Sequence, residues 1–454
     1  MRNMCVTRRL LVIAVDPEGR DGLDKDQADQ AGEVVGPKGL YAVADLPHSY
    51  GMAQPGFTVN KSEEFVLGIC QRSVLSLWCY NNPIGEPGKE LCDILVVCDP
   101  HVIIVSVKDI RLREGDLAVE HGRWERKAID DSVKQIYGAE RRLMSLSQVI
   151  RSDGSPGLNL PPVAQRKIHR LAVAFGGRGE VAITSGDFGK GLVHVMSEHS
   201  FLEVLSELDT ITDMVEYLTA KEEFTGRCAV VIEGSEANLL GWYLSHNRSF
   251  PTGTDLMVVD DTVWQGIRER PEFKRRKEVD RESYIWDKLI EEISDPKTEP
   301  ISGPGLTLTE LELALRTMSR EPRLSRRMLG RGVREFLEQA KAGRLRSRIL
   351  IAPGGTIYVL GFFRVGRDPR SWASELGCDC VIARHTVGHG DTIVGVGLSE
   401  FVPGVGSGST LIYMHIPDWS AADDEKAAKM KAALGSFEGS ALQHRHVDEY
   451  PTAD

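Results

Sequence analysis

Residues 88–108 read GKELCDILVVCDPHVIIVSVK. Two β-branched runs, 93–97 and 102–108, flank Cys98-Asp99-Pro100-His101, and an Asp-Pro cluster between such runs predicts strand, turn, strand. With the turn centred between Asp99 and Pro100, Asp93 lies across from Ser106, and Lys108 follows two residues along on the same face. A carboxylate and an ammonium therefore meet at the rim of an otherwise apolar sheet. Burying either one is costly unless the two pair or hold a ligand. The plain alternative is an ordinary ion pair in which Asp93 only caps its strand.

Working outward, residues 124–144 predict a helix with Ile129, Val133, Ile136 and Leu143 on one face, Gln135 at the edge of that face and Glu125 near its N-terminal end. On the other side of the hairpin, Asn60 and Glu63 have capping-box spacing before Phe65, Val66, Leu67, Ile69, Val74 and Leu77 at helical intervals. On that helix Glu63 falls near the centre of the apolar stripe with Val66, Cys70 and Val74, an unusual place for an acid. It reads either as a capping residue alone or as a carboxylate turned toward the hairpin.

The 454 residues, 41% hydrophobic, are enough for two to three domains with real cores. No apolar run approaches the ~20 residues of a bilayer span, so no membrane association is expected. Residues 8–15, RRLLVIAV, are too short for a signal peptide and lack its cleavage site; they read as a strand. Eight cysteines without regular spacing point to reduced thiols and a cytoplasmic setting. The net charge of -11 opposes nucleic-acid binding by the surface at large and requires a local basic patch for it.

The order helix, hairpin, helix, strands gives a mixed α/β class with a small sheet flanked by helices. Strands are expected at Arg170–Phe175, Glu180–Thr184 and Gly191–Met196, then a helical 201–221. The expected organisation is a partly ordered leader over 1–58, a central domain over 59–225, an α/β extension over 226–300, a basic helical segment over 301–347 and a C-terminal α+β domain over 348–454. The Pro/Gly-rich 295–305 reads as a linker. In the last domain, Pro353-Gly354-Gly355 marks a hairpin turn, and Cys380–Ala383, Thr392–Val396 and Thr410–Met414 read as strands before an exposed helix over 421–434.

Residue types and spacing around Asp93 and Ser106-Val107-Lys108 resemble the PD-(D/E)xK nuclease superfamily, the restriction-endonuclease-like fold. The resemblance covers about residues 60–145. It implies a nuclease core over 59–225, with Glu63 as the helix acid, Asp93 as the strand acid and Lys108 as the catalytic lysine. Gln135 resembles the glutamine many exonuclease-like members carry on the following helix, although Ala139 stands where an aromatic usually follows. The implied cofactor is Mg²⁺ or Mn²⁺, whose hard charge suits carboxylate oxygens and activates water on a phosphodiester. Two departures stand out. Cys92 replaces a structural proline, and Ser106 replaces the acid of the acid-x-Lys pair. Some Ser-x-Lys restriction endonucleases take the missing carboxylate from the next helix; Glu125 is the counterpart here, with Glu90 a second source.

The resemblance implies a DNA endonuclease, with RNA left open as substrate and with defence against foreign DNA as the family's setting. The runner-up is a catalytically silent nuclease-fold protein that binds nucleic acid or assembles with a protein partner or a second copy.

Between Arg316 and Arg348 there are eleven Lys/Arg against three Glu, and Arg323, Arg327, Arg331 and Arg334 share one helical side suited to tracking phosphates. A solvated or ion-paired helix face is the alternative. Cys378, Cys380, His385 and His389 offer four zinc ligand types, the basis of a third reading as a zinc-containing interaction protein, but strand alternation turns the cysteines away from His385. The Gly-rich stretches at 176–179 and 404–408 lack a phosphate-loop Lys-Ser/Thr and read as turns.

Overall fold

The computed structural model describes residues 8–15, 60–86, 88–177, 185–295, 308–364, 369–400, 408–438 and 441–451. They form a mixed α/β protein in two compact units, one holding the described residues from 60 to 273, the other 8–15 and those from 274 onward. Among the described residues no helix is long and apolar enough to cross a membrane. The expected strand over 180–184, most of the leader, nearly all of the linker, Gly179 and the glycines at 404–407 lie outside the described residues.

The sheets begin with β1 (Arg8–Val15), the strand expected from RRLLVIAV, which belongs to the second unit. The first unit follows with α1 (Lys61–Val74), β2 (Cys79–Asn81), β3 (Ile84–Glu86), β4 (Lys89–Glu90), β5 (Ile94–Cys98) and β6 (His101–Asp109). Next come α2 (Leu117–Glu125), a π-helical turn (Arg126–Asp130), α3 (Asp131–Leu143), β7 (Gln148–Ile150), β8 (Pro156–Asn159), β9 (Lys167–Phe175), β10 (Gly186–Asp187) and β11 (Leu192–Ser197). The unit ends with α4 (Glu198–Glu207), α5 (Ile211–Thr225), β12 (Ala229–Ile232), α6 (Glu236–Ser245), β13 (Leu256–Val259) and α7 (Val263–Arg268).

Its main sheet has the order β10-β11-β9-β6-β5-β2. The β5–β6 hairpin pairs Ile94 with Val105, Leu95 with Ile104 and Cys98 with His101, the register expected from the Asp-Pro turn. The next strand, β9, runs parallel to β6, so β6 is interior and its apolar run is buried on both faces. Leu95, Val97, Val102 and Ile104 share the face covered by Trp124, Ile129, Val133 and Ile136 from the helix layer. That face continues along the strands to Asp93 and Ser106, which sets both beneath α3.

The second unit's sheet has the order β17-β16-β15-β14-β1-β18, with β14 (Ser347–Ile351), β15 (Ile357–Phe363), β16 (Thr392–Ser399), β17 (Ser409–His415) and β18 (Ala441–Asp448). Part of the supposed leader is thus an interior strand, since β1 pairs with both β14 and β18. The basic segment and the C-terminal domain are likewise not separate: after α8 (Pro271–Val279), α9 (Tyr284–Ser294) and α10 (Leu308–Ser319), α11 (Arg323–Lys341) buries Met328, Leu329, Val333 and Phe336 in this unit. One expected strand is wrong. Cys380–Ala383 lies inside the helix Pro369–Val387, because Trp372, Leu376, Cys380, Ala383 and Val387 are all buried at intervals of three and four, a helical period that the short apolar run concealed.

Candidate functional site

Asp93 immediately precedes β5 and is 5% exposed. Its two oxygens are held by different elements: Oδ2 accepts the Val107 backbone N–H from β6, and Oδ1 accepts from Gln135 Nε2 of α3 at 2.7 Å. The Gln135 amide is fixed at its other end, where Oε1 accepts from the fully buried Ser106 hydroxyl at 3.0 Å. Ser106, Gln135 and Asp93 therefore form one chain of hydrogen bonds in which each partner's donor and acceptor roles are set by the next. The superfamily resemblance would put an acid at Ser106; in the structure its hydroxyl donates to Gln135.

Three further charged groups converge on Asp93. Glu63 enters from the first turn of α1, where Asn60 caps the helix by accepting the Glu63 N–H at 2.9 Å and donates its own amide to Glu63 Oε1. Capping and facing the hairpin are thus both true of Glu63. Burial raises its carboxyl pKa and the Asp93 charge raises it further, against hydrogen bonds to Asn60 and Asn82 and the charge of Lys108. Glu90 is brought in by β4 of the small sheet β4-β3-β7-β8. Burial, the charges of Asp93 and Glu63, and a hydrogen bond shared with Asp93 push its pKa up to about 7, with Lys108 opposing. Lys108, half-buried on β6, thus acts on Glu63 and Glu90 alike.

Glu125 ends α2 and is exposed, and its charge is not among those perturbing Glu63 or Glu90. Of the two carboxylates considered as replacements for the acid at Ser106, Glu90 is the one beside Asp93. Asn82, which nothing in the hydrophobic pattern singles out, is a buried residue with φ 44° whose backbone N–H donates to the Asp93 carbonyl and whose side chain bonds Glu63. A positive-φ Asn-Pro step between two short strands was its only local signal.

The donor set fits a hard divalent cation on its chemistry: three carboxylates, of which Glu63 and Glu90 are both raised by burial and by the charge of Asp93, give a local excess of anion that such an ion relieves. Their oxygens do not all lie within 4.8 Å of one another; among the described residues the set that does is Glu233, Asp260 and Asp261, exposed beyond β12 and β13.

The arginine reading is corrected. Arg323 and Arg327 are 3% and 4% exposed. Arg323 pairs with Asp287 at 2.7 Å, and Arg327 faces Asp280 and donates to the Asp448 carbonyl. Gly330 explains this, because a Cβ there would overlap the Glu282 carbonyl, so α11 approaches the turn at 280–283 closely enough to carry its arginines inside. Arg331 pairs with Glu335, and Arg334 with Glu282 and Glu338. The zinc grouping also dissolves: on a helix Cys378 and Cys380 diverge, Cys380 is buried, His385 bonds Asp424 and His389 meets the Val387 carbonyl.

At the opposite end of β6 and β9, His101 meets His169 at 3.1 Å, and His169 and His194 both bond Glu222 Oε1 of α5. Despite its own burial, the Glu222 carboxyl is held down at about 2 by these two imidazoles.

Comparison of the whole chain with family models, with curated proteins and with solved structures gave no match.

Proposed function

We propose that the protein is a metal-dependent nuclease with the restriction-endonuclease-like core at residues 59–225, hydrolysing DNA phosphodiester bonds. The observation that carries this is the meeting of Asp93, Glu63, Glu90 and Lys108 at the rim of the hairpin, with Asp93 locked by Gln135. In this reading Asp93, Glu63 and Glu90 hold Mg²⁺ or Mn²⁺, which when bound supplies charge stabilisation at the phosphate and a more acidic water. Lys108 brings a positive charge to the edge of the same acid cluster, placed for a phosphate oxygen or the attacking water. Ser106 and Gln135 are positioning residues: they keep Asp93 from rotating, so its free lone pairs point one way.

The test is plasmid cleavage in Mg²⁺ by the full chain and by Lys108→Ala and Asp93→Ala. Loss of cleavage in both variants, with unchanged circular dichroism for Lys108→Ala, supports the assignment. Equal cleavage by all three proteins overturns it. A catalytically silent nuclease-fold protein is the second reading, favoured by the Ser106 hydroxyl standing where an acid is expected. It predicts nucleic-acid binding with no metal-dependent cleavage by the parent chain.

A further inference from the structure

Beside the site an open hollow of about 400 Å³ lies along α3, against the β10–β11 turn. Its lining includes Lys134, Tyr137 and Arg141 from α3 and Phe188 and Lys190 from the turn. Lys134 precedes Gln135, so adjacent residues of one helix serve the hollow and the site. Phe188 is 40% exposed. It is nevertheless not on a loose tip: Asp187 Oδ1 accepts from the backbone of both Gly189 and Gly191 at 2.7 and 3.0 Å, and Tyr137 Oη donates to the Gly191 carbonyl at 2.6 Å. The glycines adopt φ 103° and 99°, which is what lets the turn close on that aspartate. The backbone that carries this exposed ring is thus held in place, an arrangement that contributes nothing to the core.

The charges around it are cationic in excess. Lys134 pairs with Asp131 at 3.1 Å in an exposed bridge of small value, and Asp130 also borders the hollow. Arg141 and Lys190 have no carboxylate partner among the described residues, and nearby Glu140 is taken by Arg170 in a bidentate pair. An exposed ring on a tied-down turn, flanked by cations, is what an unpaired nucleic-acid strand requires: a flat surface for one base and positive charge for its neighbouring phosphates.

We propose that this hollow binds a single-stranded segment of nucleic acid, with Phe188 stacking on a base and Lys134, Arg141 and Lys190 contacting phosphates. A duplex hides its base faces, so a strand with an exposed base is the ligand that uses both features. The role of that strand as substrate rests on the nuclease reading; its binding rests on the hollow alone.

The test is fluorescence anisotropy of a fluorescein-labelled 20-nucleotide single strand with the full chain in EDTA, where no metal-dependent cleavage can occur. Phe188→Ala is expected to weaken binding roughly five- to a hundred-fold with the salt dependence unchanged, the value of one stacked base. Lys134→Ala/Arg141→Ala/Lys190→Ala is expected to weaken binding and to reduce the slope of log affinity against log salt by about 2, at roughly 0.7 per phosphate contact. All these side chains reach solvent, so circular dichroism should not change. Parent-like binding by both variants overturns the proposal, as does no measurable binding by the parent. Binding that depends on the hollow in a chain that never cleaves upholds this proposal and refutes the nuclease reading, so the two fail separately.

Discussion

Ser106→Ala separates a positioning hydroxyl from a metal-binding one. The hydroxyl is fully buried and donates at 3.0 Å to Gln135 Oε1, whose other end holds Asp93. Deleting it removes a neutral hydrogen bond worth about 1 kcal/mol net and leaves Oε1 short of a donor, a further cost of about 1 kcal/mol at a half-buried amide. The expected loss is therefore about 1–2 kcal/mol. Gln135→Ala strips Asp93 of its charge-assisted donor, and in that background Ser106→Ala has little left to remove. The pair should be coupled by at least about 0.5 kcal/mol in a double-mutant cycle. Urea midpoints at constant slope measure this. On cleavage, a carboxylate loosened by about 1 kcal/mol slows turnover about fivefold, whereas Asp93→Ala abolishes it. Additive effects of the two substitutions would refute the network. So would a Ser106→Ala protein of unchanged stability and no activity, since that outcome makes the hydroxyl itself a ligand.

Three further outcomes follow from the charge network. Glu90 holds its proton up to about pH 7 when folded against an ordinary value of 4.5, so its contribution to stability is complete below about 4.5 and is lost as pH rises through about 7; urea unfolding of Glu90→Gln across that range should show a flatter decline than the parent, and an unchanged profile contradicts the clustering. His194 is the opposite case: burial lowers it from 6.5 to about 4, so it stabilises the fold above 6.5 and that stability is lost as pH falls toward 4. His194→Asn should blunt the acid limb of the stability profile, and an unaltered limb would show the imidazole is not buried neutral. Arg326 is fully buried between Asp287 and the Ser319 and Glu321 carbonyls, so Arg326→Ala should cost about 3 kcal/mol or more while exposed Arg331→Ala changes stability by less than about 0.5 kcal/mol; equal urea midpoints would return the arginines to the surface.

What could be read without a structure was local. The β5–β6 register followed from β-branched runs around Asp99-Pro100, and the α1 cap from Asn60 three residues before Glu63. The buried face of α3 followed from Ile129, Val133, Ile136 and Leu143, because strand and helix periods are properties of neighbouring residues. Those same periods placed Asp93 opposite Ser106. They misled only where a window was too short, as at Cys380–Ala383, or where a charged helix looked solvated. Long-range packing decided the rest. Gly330 draws α11 onto the 280–283 turn and turns its arginines into ion pairs, and β1 reaches its place only by pairing with strands more than three hundred residues away. Glu90 comes to Asp93 through a small sheet whose other strands lie before and well after it in the chain. Which polar group meets which depends on the low-dielectric interior that the whole fold creates. A serine where an acid was expected is therefore legible only once Gln135 is seen bonded to it.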